Sequence, residues 1–169
     1  MGERKDFFDA FFGGGYTGGM EIKEFTEDQK HAFRELGVTG VYLFGSQADG
    51  TATPESDVDF GIVFSDLSVL EKKGFMNVYG EIFHVLRQIV PSSYLKKRRE
   101  SGAHEFDIVF LQQAPPRIGF RSAMNGKVLY QSSSKATADF REKMMLQYFD
   151  FKHFEDIFNQ SFLALPKNL

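Results

Sequence analysis

Three short runs rich in β-branched and aromatic residues constrain this chain most: Val38-Thr39-Gly40-Val41-Tyr42-Leu43-Phe44, Val58-Asp59-Phe60-Gly61-Ile62-Val63-Phe64 and Glu105-Phe106-Asp107-Ile108-Val109-Phe110-Leu111. Each reads as a strand, the first of them buried, and helical patterns separate them. Thr26-Glu27-Asp28-Gln29 fits a capping box that opens a helix to about Leu36, stopped by Gly37. Ser65-Asp66 begins a long helical stretch to about Val90, closed by Pro91. Beyond Pro115-Pro116 a short helix covers Ile118 to Met124, and Asn125-Gly126 turns into an edge strand at Val128-Leu129-Tyr130. From about Ser134 to Phe158, the residues Phe140, Met144, Tyr148, Phe151, Phe154 and Phe158 recur at three- and four-residue steps. That is an amphipathic helix whose stripe is expected to be core, with one edge left for a partner. The alternation predicts one α/β (α+β) domain over residues 25–169, a small mixed sheet with flanking helices. A chain of 169 residues that is 42% hydrophobic is large enough for one such core.

Composition removes several classes of function. A formal net charge of -3 gives no basic face for bulk nucleic acid. With no cysteine there is neither a disulfide framework nor a thiolate metal site, and no run of apolar residues has the length of a membrane span. A cytoplasmic protein with no membrane partner is the expectation. Residues 1–24 read as an N-terminal arm, since Phe7, Phe8, Phe11 and Phe12 run into Gly13-Gly14-Gly15-Tyr16-Thr17-Gly18-Gly19. The 20 phenylalanines are more aromatic surface than a core of this size encloses, which points to a partner protein.

The chemistry concentrates in the acidic residues of the strands. Asp57 and Asp59 lie one residue apart at the start of the second strand, where a period of two points both carboxylates to one face. Adjacent anions repel, so a hard divalent cation such as Mg²⁺, shared with substrate phosphates, is the economical reason for them. Asp107 interrupts an apolar strand and is expected to meet the other two. Three such carboxylates suit two metal ions, one activating an attacking hydroxyl and one stabilising the leaving oxygen of a phosphoryl displacement. Gly45-Ser46, at the end of the first strand, brings backbone amides and a hydroxyl to phosphate oxygens. Walker A is excluded, because Thr51 follows Gly50 where a P-loop has Lys. Taken singly, Gly45-Ser46 reads as a turn, Asp57 as a loop or cap residue, and Asp59 and Asp107 as exposed strand-edge residues. The combination is what carries the reading.

Gly45-Ser46, ten residues, then Asp57-x-Asp59 resembles the minimal nucleotidyltransferases of the DNA polymerase β superfamily, with Asp107 matching their third carboxylate. The order of elements and the tail Asn125-Gly126-Lys127-Val128-Leu129-Tyr130, followed by a helix with Tyr148-Phe149-Asp150, are similar over about residues 25 to 160. The size and tail look most like the antitoxins paired with a HEPN-domain toxin. The resemblance implies the nucleotidyltransferase fold and transfer of AMP from ATP to a tyrosine of that toxin. Gly45 and Ser46 would then bind the nucleotide triphosphate, Asp57 and Asp59 would share two Mg²⁺ ions, and Asp107 would stand beside the nucleophile as third metal ligand. This chain departs from the family where relatives often carry Arg, because Gln47-Ala48-Asp49-Gly50-Thr51-Ala52-Thr53 has no basic residue.

The basic run Lys96-Lys97-Arg98-Arg99 reads first as solvated surface, and second as a source of that positive charge or a contact for RNA. Arg99 and His104 have the spacing of HEPN ribonucleases, but Gly102 intervenes and a strand follows, so that pair is discounted. His31, His84 and His153 lack partners at metal spacing and read as surface or packing residues. Two further functions stay open: an antitoxin that neutralises its partner by stoichiometric contact without catalysis, and nucleotidyl transfer to a small-molecule hydroxyl.

Overall fold

A computed structural model describes residues 20–53 and 55–163. Up to residue 19 the expected N-terminal arm lies outside the described residues. Helix α1 (Glu27–Glu35) opens on the anticipated capping box, with Thr26 accepting from the Gln29 amide and Gln29 accepting from that of Thr26. Strand β1 (Val38–Phe44) leads into a single turn, α2 (Ser46–Asp49), and then into a loop. Strand β2 (Asp59–Phe64) is followed by α3 (Ser68–Lys73), α4 (Phe75–Ile89) and α5 (Ser92–Glu100). Strand β3 (Asp107–Phe110), α6 (Pro116–Asn125), β4 (Lys127–Gln131) and α7 (Ser134–Leu163) complete the order.

The four strands form one mixed sheet in the order β3-β2-β1-β4. β1 is antiparallel to both β2 and β4, whereas β2 and β3 run parallel, joined by the α3–α5 crossover. On one face Val41 and Leu43 of β1, with Phe60, Ile62 and Phe64 of β2, meet Phe33 of α1 and Val78, Ile82 and Leu86 of α4. On the other, Tyr42 and Val63 meet Leu111, Ala123, Phe140 and Met144 beneath α6 and α7. Alternation along β2 therefore puts Asp59 on the face of Val63, the side of the smaller cluster. Glycine permits two close approaches there. A Cβ at Gly61 would stand 2.7 Å from the Leu111 side chain, and one at Gly119 would stand 2.6 Å from Met144 Sδ.

Three expectations are corrected, and one unassigned segment gains an element. The helix predicted from Ser65 to Val90 is two helices, because Gly74 adopts φ 83° and ψ 131° between α3 and α4. The second strand starts at Asp59, so Asp57 precedes it and strand alternation does not orient its side chain. The polar segment after Pro91, to which the sequence assigned no element, is helical, with Leu95 as its only buried residue. The aromatic stripe of α7 is core only in its first half: Phe140 and Met144 are buried, whereas Phe151, Phe154 and Phe158 are exposed. Among the described residues no helix is long and apolar enough to cross a membrane.

Candidate active site

At the end of β1 the chain turns sharply. Phe44 pairs with Asp59 across the antiparallel ladder, so Gly45 emerges beside the first residue of β2. Gly45 has φ 71° and ψ -157°, a region open almost only to glycine. A Cβ on Gly45 would collide with Asp59 Oδ2, so the absence of a side chain lets carboxylate and turn backbone lie against each other. The Gly45 carbonyl accepts from the amides of Ala48 and Asp49, each at 3.0 Å. The preceding amides, at Ser46 and Gln47, begin the turn and have no intrahelical acceptor. Gln47 is buried, and its Oε1 accepts from the Met20 amide at 3.2 Å, so this side chain ties down the chain before α1.

Asp59 and Asp107 are register partners in the parallel β2–β3 ladder, which sets their side chains adjacent on one face. Burial, then the charge of Asp107, then that of Asp57, pushes the Asp59 carboxyl above its ordinary range. All three predicted carboxylates thus act on one point. They do not form a closed cage: among the described residues no three His, Cys, Asp or Glu side chains are gathered closely enough to hold a metal ion.

Asp57 is held from α5. Arg98 Nη2 donates to Asp57 Oδ1, while its Nε donates to the His104 carbonyl at 2.8 Å and its Nη1 to the Glu55 carbonyl at 3.3 Å. The guanidinium lies 5.9 Å from the centre of the Tyr94 ring, whose hydroxyl donates to the Ser56 carbonyl at 3.2 Å. One residue on, Arg99 Nη2 reaches Glu105 Oε1 at 3.1 Å, and Arg87 Nε reaches Glu105 Oε2 at 2.7 Å. Hydrogen bonds from Arg87, the larger effect, and Arg99 hold the Glu105 carboxyl below its usual range. The basic run is therefore a clasp on two segments, the loop that carries Asp57 and the entry to β3 that carries Asp107. The sequence offered this run as a source of positive charge only as its second reading, and it singled out neither Arg98 nor its partner Asp57; the run lies between the second and third strands. A second guanidinium stands at the glycine turn, where Arg121 Nη2 of α6 meets Asp49 Oδ2 at 2.6 Å.

Beside Asp107, an apolar groove of about 300 Å³ is lined by Phe75, Tyr79, Ile108, Phe110 and Pro115. Burial and then the Asp107 charge raise the pKa of the Tyr79 phenol.

A mixed sheet ordered β3-β2-β1-β4, with carboxylates aligned across β2 and β3 beside a Gly-Ser turn, defines the nucleotidyltransferase fold. The chain belongs to the polymerase beta nucleotidyltransferase family, whose domain matches residues 21–135. No curated protein matches it. Among solved structures, a toxin-antitoxin with AMP-PNP aligns with a TM-score of 0.53 and 18% identity, over 82% of this chain and 99% of that one. A mutant of the toxin-antitoxin MntA-HpeT aligns with a TM-score of 0.52 and 18% identity, over 83% and 100% of the two chains. A second mutant of that complex gives 0.52 and 15%, over 82% and 98%. At such identities the likeness is one of fold.

Proposed function

We propose that this chain is a Mg²⁺-dependent nucleotidyltransferase that moves AMP from ATP to a hydroxyl of a partner protein, a tyrosine of a HEPN toxin, and so acts as an antitoxin. The observation that carries the reading is the register of Asp59 with Asp107 directly beside Gly45. The family supports nucleotidyl transfer. The choice of partner draws on the resemblance of the motif and tail, and on the toxin-antitoxin assemblies that share the fold.

The donor set fits the metal. Three carboxylates offer only hard oxygens, and the raised pKa of Asp59 means that a cation at this point relieves an existing cost. Bound to Asp57, Asp59 and Asp107, two divalent ions would supply charge neutralisation and lower the pKa of the attacking hydroxyl. The chain's own residues do the rest. Amides at the Gly45-Ser46 turn and the Ser46 hydroxyl orient the triphosphate. Asp107, exposed at the start of β3, takes the hydroxyl proton of the acceptor. The acceptor oxygen bonds to the α-phosphorus as the bond from that phosphorus to its bridging oxygen breaks, and pyrophosphate leaves.

The test is intact-mass spectrometry of the partner after incubation with ATP and Mg²⁺. A gain of AMP with the native protein, lost with Asp57→Asn, is expected; an unchanged mass with native protein refutes the reading. A second reading, neutralisation by contact, is favoured by the exposed Leu146, Phe149, Phe154, Ile157 and Phe158 of α7. On that reading Asp57→Asn still neutralises the partner.

A further inference from the structure

The loop after Ser46 lacks the cations that a triphosphate needs, yet a guanidinium is built into the site from another element. Arg98 is 15% exposed, and two of its three nitrogens are anchored on backbone carbonyls, those of His104 and Glu55, which belong to different segments. Those anchors do not depend on Asp57, so the charge stays in place whatever Asp57 binds. The third nitrogen meets Asp57 Oδ1. An arginine with a planar fork and no accessible neutral form is a fixed positive charge. The other cations of the run pair with glutamates instead: Lys96 with Glu100 at 3.8 Å, Lys97 with Glu55 at 3.5 Å and Arg99 with Glu105 at 3.1 Å.

We propose that Arg98 is the displaced loop cation of this site: it neutralises Asp57 before nucleotide binds and serves as a positioning charge for the triphosphate afterwards. The identity of the triphosphate rests on the nucleotidyl-transfer reading, but the electrostatics do not. Two consequences of opposite sign follow. Arg98 opposes a bare divalent ion at Asp57, because the two cations compete for the same carboxylate. It favours a nucleotide, because a triphosphate brings more negative charge than the metal can balance. A purely structural clasp has no reason to move the two affinities in opposite directions.

The experiment measures binding of Mn²⁺ without nucleotide and of Mg²⁺ with AMP-PNP to the full chain, by titration calorimetry, for native protein, Arg98→Gln and Arg98→Lys. For Arg98→Gln, Mn²⁺ is expected to bind several-fold tighter and the nucleotide about tenfold weaker. Arg98→Lys keeps a positive charge but loses the anchoring fork, so it is expected to shift both affinities in the same directions as Arg98→Gln by a smaller factor, which preserves the test if the glutamine variant does not fold. Unchanged nucleotide affinity in Arg98→Gln, weaker Mn²⁺ binding in it, or weaker binding of both ligands in Arg98→Lys overturns the proposal. If the affinities shift as stated while the partner's mass never changes, transfer to that partner fails and the role of Arg98 stands.

Discussion

Replacing Gly45 by alanine perturbs the point where turn and carboxylate touch, and Gly50 supplies the matched control. Both glycines have positive φ, 71° and 72°. At Gly50, ψ is 13°, an ordinary left-handed position, and an added Cβ would meet nothing within 4 Å. Gly50→Ala therefore costs backbone strain only, about 1 kcal/mol. At Gly45 the backbone lies in the region reserved for glycine, and the methyl also displaces Asp59, for a combined cost of about 3 kcal/mol. In a chain of this size about 1 kcal/mol lowers Tm by about 2–4 °C, so Gly45→Ala should melt about 6–12 °C below native and Gly50→Ala about 2–4 °C below. Binding separates them further. Gly45→Ala should lose Mg²⁺ with AMP-PNP altogether, because Asp59 leaves its place, while Gly50→Ala keeps most of it. Calorimetric melting and titration of both variants measure this. Equal Tm values for the two, with nucleotide binding intact in Gly45→Ala, would refute the packing of the turn against Asp59.

Two carboxylates should show opposite pH signatures. The Asp59 pKa is raised in the folded state, so stability is full at acid pH and falls as pH rises through that raised value. Asp59→Asn should therefore be more stable than native at pH 7 by about 1 kcal/mol and indistinguishable near pH 3, in urea titrations without metal, even as it loses metal binding. For Glu105 the pKa is lowered, so its contribution is present above the ordinary glutamate range and lost as pH falls through the depressed folded value. Glu105→Gln should cost about 1–2 kcal/mol at pH 7, fading at acid pH, and equal stability at pH 7 would contradict the Arg87–Glu105–Arg99 bonds. On α7, Phe154 and Phe158 are 71% and 68% exposed, so the double change to Ser should alter stability by less than about 0.5 kcal/mol. The same variant should lose partner binding in a pull-down; undiminished binding would mean that the partner docks elsewhere.

Local pattern made most of the elements legible. The β-branched runs, the capping box at Thr26 and the turn at Asn125-Gly126 involve neighbours in sequence, where sterics and short hydrogen bonds decide. Legibility failed where tertiary packing decides. Helix α5 has one buried residue and no apolar period, so nothing in its own sequence separates it from a loop. The stripe of α7 continues beyond its buried residues Phe140 and Met144, and periodicity cannot say where a helix runs out of core to cover.

The site divides in the same way. Gly45, Ser46, Asp57 and Asp59 lie within fifteen residues, and a motif can hold them together. Asp107 needed the parallel crossover to fall opposite Asp59, and Arg98 needed α5 to fold back on the 55–57 loop. The residues of the motif were thus readable by spacing, whereas the particular cation that balances them was not, since the basic run read first as solvated surface. Carboxylates advertise themselves by interrupting apolar strands, where an unpaired charge is expensive. A compensating cation carries no such mark, since a long side chain can come from any element that reaches the site and its local sequence looks like ordinary surface. The missing arginines between Ser46 and Asp57 are therefore weak evidence of lost activity. With Arg98 on Asp57 and Arg121 on Asp49, positive charge stands at both ends of the loop that lacks it.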